Sequence, residues 1–181
     1  MRGTTTVLLL VLGVLLQAAV VNRIPLPWGS APDLVTLIVV AVALGATPLG
    51  GAVAGFGAGL ALDILPPADH EIGRYALVLC LAGYVVGKLD DSTRPSRARP
   101  YLAAFVAVAG VELGFAALGL VLGDPRVGGT TFLVDIPVSV AMTMPLSPLI
   151  LPLTRPLRRS LTSTDAIDIS HTSWAGGGVR L

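Results

Sequence analysis

Residues 51–67 read GAVAGFGAGLALDILPP, and the solvent around this stretch decides the fold. Gly51, Gly55 and Gly59 recur every four residues, Asp63 closes the run, and Pro66-Pro67 stops it. In water such a helix would be weak, because each interior glycine costs about 1 kcal/mol relative to alanine. In lipid the argument reverses. Lipid tails are as apolar as leucine, so helices associate where small side chains let backbones approach. The four-residue spacing puts the three glycines on one helix face, with Asp63 one turn further on nearly the same face.

Composition selects lipid. The chain has 181 residues, of which 54% are hydrophobic and 13% charged, and its mean hydropathy is +0.82. A soluble domain carries about 25% charged residues, so most of this chain is solvated by a bilayer. The expected fold class is all-α: a polytopic membrane protein with a compact bundle of about six transmembrane helices. Cys80, the single cysteine, has no partner for an intrachain disulfide and reads as a small packing residue.

The apolar runs place helices at about 5–21, 33–46, 48–65, 74–89, 101–122 and 132–153, all within one transmembrane domain over 1–154. The first run reads as an uncleaved span rather than a secretory signal, since no small-residue cleavage site precedes Asn22. Trp28 suits the interface and Asp33 the N-cap of the next helix. A single helix over 33–65 would be about 50 Å long, well beyond a core of about 30 Å. GATPLGG (45–51) therefore breaks it at Thr47-Pro48 into two short helices, or into a re-entrant hairpin. Pro137, Pro145, Pro148 and Pro152 kink or interrupt the last helix. The polar tail over 155–181 reads as disordered and cytoplasmic.

With six spans, Arg2, Lys88, Arg94, Arg97, Arg99, Arg155, Arg158, Arg159 and Arg180 share one side, and Arg23, Arg74 and Arg126 the other. The positive-inside rule then places both termini and the 88–100 loop in the cytoplasm. Gly83 and Gly87, and Gly110 and Gly114, repeat the four-residue spacing on the fourth and fifth helices. The glycines at 51, 55, 59, 83 and 87 are candidates for helix packing or for docking a partner helix.

Four charges fall inside or at the edge of spans: Asp63, Arg74, Glu112 and Asp135. A charge at the bilayer centre costs about 2.5–3.5 kcal/mol on insertion scales, so Glu112 is expected to face the bundle interior. Arg74 is expected to pair with Asp63 or Asp135. These acids serve either a substrate, proton or partner site, or a helix pin or cap. His70 sits between Asp69 and Glu71 on a loop without converging ligands, and His171 lies in the tail. No nucleotide loop, zinc motif or activated nucleophile is present, so neither catalysis, a metal nor a cofactor is expected.

APDLVTLIVVAVAL (31–44), GAVAGFGAGLALDIL (51–65) and IGRYALVLCLAGYVVGKL (72–89) resemble the MreD family of bacterial rod shape-determining membrane proteins. The matching positions are Pro32, Asp33 and Leu34; Gly55, Gly59, Leu62 and Asp63; Gly73; and Gly83, Tyr84 and Gly87. The resemblance implies a non-enzymatic component of the cell-elongation machinery in the bacterial cytoplasmic membrane, scaffolding peptidoglycan synthesis. Its implied partners are an MreC-like protein, an MreB-like actin homologue, and the peptidoglycan polymerase and transpeptidase of the elongation complex. It also implies similarity to the six-helix substrate-binding subunits of energy-coupling-factor vitamin transporters, which is the alternative function. A vitamin pocket would use several aromatic and polar groups; aromatics are 5% of this chain, which favours the scaffold.

Overall fold

The computed structural model describes residues 2–24, 31–66, 71–89 and 97–153. Trp28, His70, His171, Arg94 and the 155–181 tail lie outside the described residues. Among the described residues the regular structure is all helical: α1 (Arg2–Ala19), α2 (Leu34–Ala43), α3 (Pro48–Ile64), α4 (Arg74–Leu89), α5 (Arg99–Leu122), α6 (Ile136–Thr143) and α7 (Ser147–Leu153). Three stretches are long and apolar enough to cross a membrane: Gly3–Arg23, Arg99–Leu122 and Thr131–Pro152. The protein is a helical membrane bundle.

The last of these stretches is a composite. A π-helical turn (Thr131–Asp135) leads into α6, and a 3₁₀ turn (Met144–Leu146) joins α6 to α7. Pro137 and Pro148 are the second residues of their helices and Pro145 lies in the 3₁₀ turn. Those are positions where the missing N–H costs least.

The shortest α-helix before that rod sits at the centre. Ten residues make α2 about 15 Å long, half the hydrocarbon core. Eight of the ten are buried. Leu37, Val40 and Leu44 meet Val86, Val108 and Leu151, while Val35 and Val39 meet Val14, Leu79 and Val111. A half-length helix leaves helix ends at membrane depth, which is tolerated only where protein surrounds them. At its far end the chain turns. Thr47 caps α3 by accepting from the Gly50 N–H at 3.1 Å, and Pro48 follows as the first helical residue.

Helices α3 and α4 form the tightest pair, running antiparallel with backbone against backbone. A methyl group on Gly51 would overlap the Gly83 carbonyl, and one on Gly83 would overlap the Gly51 carbonyl. At Gly55 it would overlap the Leu79 carbonyl, and at Gly59 it would come within 2.6 Å of the Ala76 backbone nitrogen. Gly87 closes the row, 3.0 Å from the Pro48 Cα by the same construction. This glycine face is therefore covered by α4 and is not an open surface for a partner helix.

Gly57 provides the internal contrast, because a methyl there would meet nothing within 4 Å. Overpacking costs about 1–3 kcal/mol when side chains can yield; at Gly55 the obstacle is a carbonyl. Gly55→Leu is expected to cost about 3 kcal/mol or more and to abolish a monodisperse peak in detergent gel filtration. Gly57→Leu should elute and melt like the parent; equal behaviour of the two variants would contradict the α3–α4 contact.

Candidate functional site

Two polar constellations lie inside the bundle. The first surrounds the start of α2. The Asp33 carboxylate caps the helix by accepting from the Thr36 N–H at 2.8 Å and from the Thr36 hydroxyl. Gln17 of α1 reaches across: its amide oxygen accepts from the Leu34 N–H at 2.9 Å, and its NH₂ group donates to the Pro32 carbonyl at 3.0 Å. The same NH₂ group donates to Asn22 at 2.8 Å. From the other side, the Asp33 N–H donates to the Thr143 hydroxyl at 2.9 Å, and that hydroxyl donates to the Ser139 carbonyl at 2.7 Å. The Ser139 hydroxyl donates to the Glu112 carboxylate. Four helices, α1, α2, α5 and α6, are thereby joined at one level.

That level falls near the middle of a helix long and apolar enough to cross a membrane. Glu112 is thirteen residues from Arg99, about 20 Å along α5, and ten from Leu122, about 15 Å. Polar groups at such depth are costly unless bonded to one another, and among the described residues no buried side-chain nitrogen or oxygen lacks a partner. Glu112 is half-buried and turns to α6.

The second constellation lies at the end where the chain passes from α3 to α4. The Asp63 carboxylate, buried at 2% exposure, accepts three backbone N–H bonds: Gly73 at 2.9 Å, Tyr75 at 3.0 Å and Ala76 at 3.0 Å. It thus caps α4 from a different helix, satisfying orphan donors that a helix start always carries. Gly73, with φ 101°, takes the left-handed turn that few other residues adopt.

Arg74, the next residue, is 3% exposed. Its Nε and Nη2 donate to the Phe115 carbonyl at 3.0 and 2.8 Å, and its guanidinium carbon lies 3.7 Å from the centre of the Phe115 ring. Its Nη1 pairs with Asp124 at 2.8 Å and, more distantly, with Glu71 at 3.6 Å. The expected pairing with Asp63 or Asp135 is therefore replaced. Asp63 is engaged by the α4 backbone, and Asp135 ends the π-helical turn at the start of the α6 rod. The local reason is the end of α5. Gly123, at φ 76°, terminates that helix in a left-handed cap, and the Asp124 N–H returns to the Gly119 carbonyl at 2.9 Å. This turn aims Asp124 back at Arg74. Gly119 leaves room for the guanidinium, since a methyl there would overlap Arg74 Nη2.

Sequence reasoning missed Gln17, Thr36, Ser139, Thr143 and Asp124. Gln17 was detectable as the one amide in the apolar run 7–21, and Ser139 and Thr143 as hydroxyls one helical turn apart. Among the described residues no three His, Cys, Asp or Glu side chains gather in a metal-sized cluster.

The family model described as rod shape-determining protein MreD matches residues 1–158. The chain belongs to the MreD family. No match was found among curated proteins or among solved structures. The match includes every residue of both constellations, so the α2 lattice and the Asp63 cap are features of an MreD-family membrane bundle rather than of an appended domain.

Two outcomes follow from this geometry. Asp63→Ala should destabilise the fold by about 2 kcal/mol or more, because buried N–H groups lose their acceptor, while Asp63→Asn, which keeps one acceptor oxygen, should lose less; equal losses in reversible unfolding would contradict the cap. The second concerns Asp124. The hydrogen bond from Arg74 holds its carboxyl below the usual 3.8. A carboxyl lowered on folding stabilises above its unfolded value, and that stabilisation disappears as pH falls through the folded value. Asp124→Asn should therefore melt below the parent at neutral pH, and the gap should close as the pH falls below about 3.8.

Proposed function

We propose that this MreD-family chain is a non-enzymatic scaffold of the rod-shape machinery in the bacterial cytoplasmic membrane. The observation that carries the reading is the family match over 1–158, which ties the chain to rod-shape determination. The bundle interior is in keeping with a scaffold. Among the described residues no buried side-chain nitrogen or oxygen lacks a hydrogen-bond partner, and in this reading the charges at Asp63, Arg74, Glu112 and Asp135 serve architecture rather than chemistry.

In this reading residues 1–154 act as one transmembrane unit, with both termini and the 88–100 loop in the cytoplasm, as the nine-to-three distribution of basic residues favours. The 155–181 segment is a cytoplasmic tail. The unit holds the machinery that builds peptidoglycan in place. Its direct membrane partner is an MreC-like protein, and through it the chain joins an MreB-like actin homologue and the peptidoglycan polymerase and transpeptidase. The glycines at 51, 55, 59, 83 and 87 keep the scaffold rigid, and partner helices meet the lipid-facing surfaces left outside the α3–α4 pair.

Depletion of this protein from its rod-shaped host should yield rounded cells, and expression of the intact chain should restore rods. The chain should co-purify with the MreC-like protein in mild detergent, and Gly57→Leu should retain both properties. Unchanged rods after depletion would overturn the shape-determining role. Restored rods without co-purification would overturn the direct MreC-like contact alone.

A further inference from the structure

A groove between α4 and α5 belongs to neither polar constellation. Its cavity volume is about 660 Å³. Leu77, Leu81 and Val85 of α4 form one wall, Leu102 and Val106 of α5 the other, and Gly110 lies between them. These walls face outward: Leu77 is 56% exposed and Leu81 61%. A methyl on Gly110 would meet nothing within 4 Å. The groove extends along α5 from Arg99 to Val121, about 33 Å at 1.5 Å per residue, the thickness of the hydrocarbon core.

Among the lining residues, charge stands at one end only. Arg99 is the sole charged residue among the lining side chains. Lys88 and Arg97 are exposed and stand one and two residues from the lining residues Leu89 and Arg99. Over 88–100 the chain carries four basic residues, Lys88, Arg94, Arg97 and Arg99, against two acids, Asp90 and Asp91, for a net charge of +2.

An apolar cleft through the bilayer with a basic mouth at the membrane surface has the chemistry of an anionic phospholipid. We propose that the α4–α5 groove holds one, with an acyl chain along the cleft and the phosphate at the Lys88–Arg97–Arg99 end. Basic pockets between transmembrane helices are a recurring site for acidic headgroups. A partner's transmembrane helix is the competing occupant, and charge disfavours it. Such helices carry their own Lys and Arg on the cytoplasmic flank, which the net positive mouth would repel. That step uses the orientation proposed above; the fit of an acidic headgroup needs only the basic end.

Native mass spectrometry of the purified full chain, with phosphatidylglycerol or phosphatidylcholine of equal chain length added, tests this. A basic residue at a membrane surface favours an anionic lipid by about fivefold, so the parent should retain phosphatidylglycerol about tenfold or more over phosphatidylcholine. The triple variant Lys88→Ala/Arg97→Ala/Arg99→Ala should bring the two lipids near parity. The double variant Lys88→Ala/Arg97→Ala, which leaves Arg99 in place, should lower the preference by about fivefold or more. Gly110→Phe, which fills the cleft, should weaken both lipids with an unchanged melting temperature. Equal retention of the two lipids by the parent, or a preference that the double variant leaves undiminished, would overturn the proposal. So would photo-crosslinking from position 110 in native membranes that yields a protein adduct and no lipid adduct. Because none of these readouts uses cell shape or the MreC-like protein, failure here leaves the scaffold reading intact, and failure of that reading leaves the lipid site testable.

Discussion

Everything in this bundle rests on how closely α3 approaches α4. In lipid no hydrophobic force drives helices together, so association depends on packing, and packing improves as side chains between backbones vanish. At Gly51–Gly83 and Gly55–Leu79 nothing separates one helix from the carbonyls of the other. The glycines that would weaken a helix in water are what permits this approach. Asp63 then fixes the register at one end by binding the first N–H groups of α4, and at the other end Gly87 seats against the Thr47–Pro48 backbone.

That rigid pair makes room for an unusual centre. A helix of ten residues is too short to span, so α2 begins at membrane depth and needs protein around it. The bundle surrounds it with α1, α5 and the α6–α7 rod, and supplies hydrogen bonds where its backbone is open. Gln17 alone satisfies one backbone N–H and one backbone carbonyl. The lattice is stringent because each member in the low-dielectric interior would be costly without its neighbour. Arg74 obeys the same constraint at the end where α3 leads into α4: a buried cation is held by a carboxylate, a backbone carbonyl and an aromatic face at once.

Much of this was legible from residue order. Apolar runs marked the helices because lipid requires long uncharged segments. The Thr47-Pro48 break was visible because no single helix of that length fits a bilayer, and Asp33 read correctly as a cap because its position before an apolar run is a local signal. The pairing of Arg74 was not legible. Asp124 is fifty residues away, and it reaches Arg74 only through the left-handed turn at Gly123, which a one-dimensional reading cannot place opposite α4. The α2 lattice was missed for a similar reason: Gln17, Ser139 and Thr143 are uncharged and matter only where four helices meet. The glycine faces were recognised as contact surfaces, but spacing alone does not say whether the contact lies within the chain or with another protein.

The most direct test of the backbone-to-backbone contact is a double-mutant cycle on Gly51→Ala and Gly83→Ala, read as unfolding free energy in mixed micelles. Each methyl enters the same gap, so the first would force the helices apart and the second would then enter at reduced cost. The account predicts that the double variant loses less stability than the sum of the single variants, by about 1 kcal/mol or more. Strictly additive losses would mean that the two glycines do not face each other, and would contradict it.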